Sequence, residues 1–467
     1  RGGRGGGGRG EFRSDADVAG GRVIEDAAAA CGADVVPLVV LKRGKARLFR
    51  EGNPLVFGGA VDCVIGSPPP RSGDRVVVTD GARNPVAWGV FNSDSMYRVR
   101  VLQSAADAAA EPELALDVSR LLRARVAEAA RLRELMGVTP TPAQASAGEP
   151  TSAFRLLNAE GDGLSGLVVD VFAHAAVVQS NAQWTENNRA HIEEALLKEL
   201  PYVRRIVWRR NEAMLKLEGG EDALEDAHEG TLGGEGEGEG DSGGEGDTVE
   251  VCEGGLSFGV DLAKGQKTGF YCDQRDSRAW LRSLAGVRGA SVLDLCCYTG
   301  GFALSAAAGG AGRVLGVDSS ERAVTMAQSN AQRNEALVGE TQLSFRAGDA
   351  IDVARELAAS GERFDIVVLD PPKLAPSAKA VRKAERKYAA FNAAALECLR
   401  PGGILVTHSC SGAVARSGQL REIVEGVALR AGRRAQLVRR AGAAPDHPVS
   451  ASYPESQYLD SLAFVVK

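Results

Sequence analysis

From Glu250 to the last residue, short apolar runs alternate with stretches of helical periodicity. The runs are Ser291–Leu295, Arg313–Val317, Leu343–Phe345, Phe364–Leu369 and Gly403–Thr407. They are apolar almost throughout, as strands are when helices cover both faces of a parallel sheet. This alternation of strands and helices therefore predicts a doubly wound α/β sheet for residues 250–467. Since parallel strands end at one edge, this pattern also predicts where a ligand would bind.

Glycines and a helix start follow the first of these strands. Asp294 lies in that strand, and the turn Tyr298–Phe302 leads from it into a helix. Gly300 and Gly301 allow the backbone to approach a ligand closely, and a helix N-terminus favours a carboxylate. The turn lacks the G-x-G-x-x-G pattern of NAD-binding proteins.

Carboxylates follow the next three strands. Asp318 is placed to accept hydrogen bonds from ribose hydroxyls, and Asp349 and Asp370 follow at the next two strand ends. This series fits S-adenosylmethionine better than NAD. A P-loop is excluded because Gln266 separates Gly265 from Lys267. We therefore expect S-adenosylmethionine as the cofactor and no metal.

The loop Asp370-Pro371-Pro372-Lys373 and a later cysteine indicate the chemistry. Two prolines restrict the loop and remove two backbone donors, which leaves a fixed shelf beside the cofactor. Lys373 stands where enzymes that methylate exocyclic amines usually carry an aromatic residue. Cys410 follows the fifth strand and could add to carbon 6 of a pyrimidine, so that carbon 5 becomes nucleophilic. Asp370 would hold the base near nitrogen 3; the alternative for Cys410 is a small buried residue, and His408 is expected to be structural.

The rest of the chain predicts a modular organisation. We expect a disordered Arg/Gly/Ala-rich tail (1–34), a small β-barrel (35–103), a linker with an amphipathic helix (104–150), a small central α/β domain (151–217) and an acidic disordered insertion (218–249), ahead of the sheet domain at 250–467.

The charge distribution and the cysteine pattern limit which partners and which cellular compartment we expect. Residues 218–250 hold thirteen of the 61 acidic side chains and no Lys or Arg, so the rest of the chain is mildly basic, which permits a polyanionic partner. No run of eighteen apolar residues predicts a membrane span. The scattered cysteines lack C-x-x-C spacing and suggest reduced thiols. We expect a cytoplasmic protein, or a chloroplast or mitochondrial one if a targeting peptide preceded Arg1.

Five segments of this sequence resemble a bacterial family of large-subunit ribosomal RNA cytosine-carbon-5 methyltransferases. They are Phe154–Leu164, Gly265–Arg275, Tyr298–Phe302, Asp370–Lys373 and Asp446–Val449. The resemblance implies a PUA domain, which is an RNA-binding barrel, followed by a central domain and a Rossmann-like methyltransferase domain. It covers residues 36–467 without the acidic insertion.

The resemblance also implies roles for particular residues. Asp273, Gln274 and Arg275 would lie near the cofactor, although Arg275 could equally form a structural salt bridge. Pro371, Pro372 and Lys373 would contact the substrate, as would Lys42 and Arg43 of the barrel. Leu55 stands where the family usually has an aromatic residue.

The sequence leaves three functional hypotheses. The leading one is formation of 5-methylcytosine in ribosomal RNA. The alternatives are methylation of a guanine ring nitrogen, as in a sister branch that needs no thiol, and a non-catalytic RNA-binding assembly factor. A homodimer stays open as the assembly state.

Overall fold

The computed structural model describes residues 13–32, 36–138, 151–218, 248–263, 265, 268–374 and 381–467. The tail up to residue 12, the linker residues 139–150 and the acidic residues 219–247 lie outside them, as do Gln266 and Lys267. Among the described residues, no helix is long and apolar enough to cross a membrane. All eight cysteines are described, and all are free thiols.

The chain forms two compact units. Unit 1 comprises Arg1–Leu135, Arg155–Gly240 and Pro448–Pro454, and unit 2 comprises Met136–Phe154, Asp241–His447 and Glu455–Lys467.

Unit 1 begins with helix α1, Asp15–Ala30, in a segment that we predicted to be disordered. Ser14 caps the helix: its Oγ accepts from the backbone of Asp17, whose carboxylate accepts from the Ser14 backbone in return. Ile24 is fully buried, and a Cβ on Gly20 would collide with the Ala105 carbonyl. The prediction is wrong for this segment because a capping box and close packing of small residues stabilise a helix of low-complexity composition.

A six-stranded sheet follows, in the order β2-β6-β5-β4-β1-β3. Its strands are β1 Leu38–Leu41, β2 Leu55–Phe57, β3 Val61–Ile65, β4 Arg75–Thr79, β5 Pro85–Phe91 and β6 Tyr97–Ser104. The helices beside it are α2 Ala46–Arg50, α3 Ala105–Ala110 and α4 Val118–Leu135. Four strands were predicted from β-branched and aromatic runs of the sequence at Val36–Leu41, Arg75–Thr79, Ala87–Phe91 and Tyr97–Leu102, and these are β1, β4, β5 and β6. The short β2 and β3 were not, because three to five residues carry too little periodicity.

The central part of the chain forms a four-stranded sheet in the order β10-β9-β8-β7. Its strands are β7 Ala153–Asn158, β8 Leu167–Phe172, β9 Ala175–Ser180 and β10 Arg205–Arg210. The helices are α5 Gln183–Asn187, α6 Arg189–Glu199 and α7 Glu212–Lys216. The runs Leu167–Phe172 and Ala175–Gln179 predict a hairpin, which is confirmed as the antiparallel pair of β8 and β9. The helix predicted from Arg189 to Leu200 is confirmed as α6.

Unit 2 contains a hairpin and a seven-stranded sheet. The hairpin strands are β11 Thr248–Glu253 and β12 Leu256–Asp261. The sheet strands are β13 Ser291–Leu295, β14 Arg313–Asp318, β15 Gln342–Ala347, β16 Phe364–Leu369, β17 Leu399–Ser409, β18 Ala435–Ala441 and β19 Asp460–Val466. The helices are α8 Arg275–Ser283, α9 Gly301–Ala308, α10 Glu321–Arg333, α11 Glu335–Val338, α12 Ala350–Ala359, α13 Val381–Cys398, α14 Gly412–Ser417 and α15 Gln419–Arg430.

The sheet order β15-β14-β13-β16-β17-β19-β18 confirms the predicted doubly wound fold. β13 to β17 are parallel, whereas β19 is antiparallel to both of its neighbours. From β13 the chain first builds the sheet outward through β14 and β15, and then returns to the other side of β13 to add β16 and β17. The crevice at the carboxyl ends of β13 and β16, where this order reverses, is the place where such sheets bind ligands.

Candidate active site

A cavity of about 320 Å³ opens at the carboxyl ends of the parallel strands. Most of the predicted site residues line it: Asp273, Gln274, Tyr298, Gly301, Asp318, Asp349, Asp370, Pro371, Pro372, Lys373 and Cys410. They come from five strand ends and from the segment before α8. Topology has therefore brought together side chains that are up to 137 positions apart in the sequence.

The turn between β13 and α9 forms one wall of the cavity. Cys296, Tyr298 and Gly300 all have positive φ (63°, 49° and 87°). A Cβ on Gly300 would lie 3.2 Å from the ring of Phe345, so the position combines a left-handed backbone with close packing. This curved backbone exposes Tyr298 and Gly301 to the cavity.

Asp294 lies beneath this turn and does not line the cavity. Its side chain is fully buried, and Oδ2 accepts a hydrogen bond from the Ala303 backbone at 2.9 Å. Burial, and then the Asp370 carboxylate, raise the pKa of Asp294 to about 8. The structure thus joins Asp294 to the helix start rather than to a ligand.

Asp318 connects the end of β14 to the glycine turn. Oδ2 accepts from the Tyr298 backbone at 2.8 Å and Oδ1 from the Ser320 backbone at 2.9 Å. A carboxylate has about four lone-pair sites, so these bonds leave acceptor capacity on the cavity side. Asp349 lines the cavity as the N-cap of α12, with Oδ1 accepting from two backbone amides.

The segment before α8 forms the opposite wall. Tyr458 donates to Oδ2 of Asp273 at 2.7 Å, and Nε2 of Gln274 donates to Oδ2 of Asp370 at 3.1 Å. Gln274 is only 3% exposed, and its Oε1 has no hydrogen-bond donor among the described residues. A buried acceptor of this kind at a cavity wall fits a ligand that carries hydrogen-bond donors.

Arg275 does not reach the cavity. It forms an ion pair with Asp446 at 2.8 Å and donates to the Ala153 carbonyl, also at 2.8 Å. Of the two roles that the sequence left open, this geometry is that of the structural salt bridge.

Arg278 also lines the cavity, although it was not among the predicted site residues. Its buried guanidinium forms two hydrogen bonds with Glu253, at 2.6 and 2.7 Å. Arg278 follows Gln274 by four residues at the start of α8, and such residues share a helix face. That spacing could have revealed it. Lys42 and Arg43 are exposed in unit 1, in the turn after β1, and are not part of this cavity.

Cys410 lies half-buried at the end of β17, in the wall that also contains Asp370. The preceding Ser409 shares a 2.8 Å hydrogen bond with the buried Tyr388 of α13. His408 is fully buried against Phe302 and absent from the cavity lining, as expected for a structural residue. Burial, reinforced by Arg439, lowers the pKa of His408 to about 3, so the ring is neutral at physiological pH.

Comparisons with known families agree with this fold. The family described as S-adenosylmethionine-dependent methyltransferase matches residues 234–451, and the PUA-like domain family matches residues 39–104. They confirm the PUA-like domain and the methyltransferase fold, and they confirm S-adenosylmethionine as the cofactor. The strand-end carboxylates and the buried Gln274 acceptor fit that cofactor.

Curated relatives match almost the whole chain. A protein named ribosomal RNA large subunit methyltransferase I from Photobacterium profundum is 34% identical over 430 residues, which is 92% of this chain and 99% of the relative. A protein of the same name from Aeromonas salmonicida is 34% identical over 427 residues, covering 91% of this chain and 98% of the relative. Among solved structures, a SAM-dependent methyltransferase from Streptococcus mutans superposes with a TM-score of 0.71 at 17% identity, over 92% of this chain and 99% of that one.

Proposed function

This chain belongs to the ribosomal RNA large subunit methyltransferase I family, and we propose that it forms 5-methylcytosine in large-subunit ribosomal RNA. The observation that carries the proposal is the shared cavity of Cys410 and Asp370. A thiol and a carboxylate that line one cavity with the proposed methyl-donor site are the groups that carbon-5 chemistry needs.

The cofactor is assigned to the glycine turn and the strand-end carboxylates. Asp318 would accept from ribose hydroxyls, Asp349 would lie beside the nucleoside, and Gln274 Oε1 would accept from a ligand donor. When bound, S-adenosylmethionine supplies an electrophilic methyl group on its sulfonium. Pro371 and Pro372 keep the substrate shelf rigid, and Lys373 stays exposed at its rim, where it would contact the RNA.

Cys410 provides the activation that cytosine lacks. Its thiolate adds to carbon 6, which makes carbon 5 nucleophilic enough to accept a methyl group. Asp370 holds the pyrimidine edge near nitrogen 3 and stabilises the adduct. A base then removes the carbon-5 proton. The electron pair of the broken carbon–hydrogen bond re-forms the 5,6 double bond, and the Cys410 thiolate leaves carbon 6.

The test is to incubate the protein with labelled S-adenosylmethionine and ribosomal RNA and to map the modified base. We expect labelled 5-methylcytosine with the wild type and none with Cys410→Ala. Methylation of the same cytosine by the variant would contradict the nucleophile assignment. A labelled guanine would favour the sister chemistry, and the absence of label in any RNA would favour an assembly factor.

A further inference from the structure

The first two turns of α13 carry a stripe of positive charge. Four of its side chains are exposed bases, and we call them the basic stripe: Arg382, Lys383, Arg386 and Lys387. At 100° per residue they cover one continuous face, opposite the buried Ala384 and Tyr388. The stripe is therefore a surface that α13 presents to solvent and not part of its packing.

One carboxylate, Glu385, lies among the stripe residues in the sequence, and its Oε2 accepts a hydrogen bond from Gln419 at 3.4 Å. No ion pair joins any of the four members of the stripe to an acidic residue within the described parts of the chain. Two exposed arginines elsewhere in unit 2 are paired, Arg346 with Glu356 and Arg421 with Glu425. Four adjacent unpaired cations repel one another, so a polyanion is the partner that this surface fits.

The C-terminal end of the stripe lies next to the candidate active site. Phe391 lines the cavity and follows Lys387 by four residues on the same helix, so the two side chains are neighbours on one face. Lys373, which also lines the cavity, is exposed at the end of the Asp-Pro-Pro loop. The Lys387 cation and the Phe391 side chain in the cavity wall thus lie about one helical turn apart.

The charge of the cavity itself makes such a surface necessary. Its lining includes four carboxylates, Asp273, Asp318, Asp349 and Asp370. They suit a sulfonium cofactor, but they repel the phosphates of a nucleic acid that delivers a base into the cavity. The lining also contains two cations, Arg278, which is paired with Glu253, and Lys373 at the rim. Two cations do not balance four carboxylates, so we expect further affinity for the strand to come from outside the cavity, and the basic stripe is a cationic surface near Lys373 and Phe391.

We propose that the basic stripe holds the sugar-phosphate backbone of the RNA next to the target base. The inference rests on the proposed function and adds to it a docking surface within the methyltransferase domain. Phosphate contacts position a strand without reading its sequence. The stripe should accordingly contribute affinity and orientation, whereas the cavity selects the base.

The test compares two double variants that remove the same charge. Arg382→Gln with Arg386→Gln removes two members of the stripe. Arg430→Gln with Arg434→Gln is the control, because both arginines are exposed. Arg434 precedes β18, whose first residue is level with Gly403 near the start of β17, and the cavity lies at the other end of that strand. Binding of a ribosomal RNA fragment is measured by fluorescence anisotropy over a range of salt concentrations, with cofactor-product binding by calorimetry as a check on folding.

We expect the stripe variant to raise the Kd for RNA about tenfold and to lower the slope of log Kd against log salt by about 1.5, while the control matches the wild type. Equal RNA binding by the two variants would overturn the inference. It would also be overturned if the two variants differed in their binding to vesicles of anionic lipid but not in their binding to RNA. Mapping of the modified base tests the proposed function separately. A labelled guanine together with the expected loss of RNA affinity in the stripe variant would refute cytosine methylation but would still support the docking surface.

Discussion

Gln274 and Asp370 are joined by a 3.1 Å hydrogen bond, although they lie 96 positions apart in the sequence. The amide nitrogen of Gln274 donates to Oδ2 of Asp370, and the amide oxygen remains at the cavity wall without a protein donor among the described residues. One cavity-lining side chain therefore orients the proposed base-binding carboxylate and keeps a buried acceptor without a protein donor.

Replacing Gln274 should impair turnover. We expect Gln274→Leu to lower kcat about ten- to a hundredfold, because the bond donated to a carboxylate is lost. Gln274→Glu would set a second carboxylate beside Asp370 and should move the pH dependence of kcat to higher pH. The control is Gln436→Leu, at an exposed position of β18. Unchanged kcat in the Leu variant and an unmoved pH profile in the Glu variant would show that the bond has no part in catalysis.

Cys410 should be indispensable for methylation but not for cofactor binding. We expect Cys410→Ala to lower the rate by about 10³-fold or more, as the loss of a nucleophile does elsewhere. RNA that contains 5-fluorocytidine should form a covalent complex with the wild type that survives a denaturing gel, because carbon 5 then carries no proton to release. The exposed Cys63 in β3 gives the control, Cys63→Ala. A variant at Cys410 that still forms the complex would exclude this thiol.

The sequence predicted the sheet and much of the cavity because both follow from strand topology. Parallel strands are apolar on both faces and end at one edge, so the residues after Leu295, Val317 and Leu369 had to meet. The hairpin of β11 and β12 and the two strands at the antiparallel edge of the sheet, β18 and β19, were not predicted. β18 alternates partly exposed and exposed residues, and its sequence, Ala435–Ala441, includes two arginines, so it lacks an apolar run.

The direction in which a side chain points could not be predicted from the sequence. Asp294 and Arg275 belong to the right segments, yet one turns under the glycine turn and the other turns to Asp446. Proximity in the sequence cannot tell a ligand contact from a structural bond, because the two differ only in rotamer and in distant partners. For the same reason Arg278 was missed: its anchor, Glu253, comes from a hairpin that was not predicted.

Asp318 should determine cofactor affinity. Both of its carboxylate oxygens accept backbone hydrogen bonds, so Asp318→Asn would turn an amide donor toward a backbone N–H. We expect the Kd for S-adenosylhomocysteine, measured by calorimetry, to rise about ten- to a hundredfold. Asp352→Asn, at an exposed position of α12, is the matched control and should bind normally. Equal affinities for the two variants would place the cofactor contacts elsewhere.

Asp294 should make stability depend on pH. Its pKa in the folded protein is raised to about 8, by burial first and by Asp370 next, whereas an unfolded aspartate has a pKa of about 3.9. Between these values the folded chain holds a proton that the unfolded chain has released, so the contribution of Asp294 to stability falls as the pH rises.

Asn resembles the protonated side chain and can keep the bond from Ala303, but it does not titrate. We therefore expect Asp294→Asn to gain free energy of unfolding relative to the wild type as the pH rises from 5 to 8, as measured by urea denaturation at constant ionic strength. Asp352→Asn should show no such trend, since that side chain is exposed. A difference between Asp294→Asn and the wild type that stays constant from pH 5 to 8 would mean that Asp294 is already ionised beneath the glycine turn at pH 5, which would contradict the raised pKa.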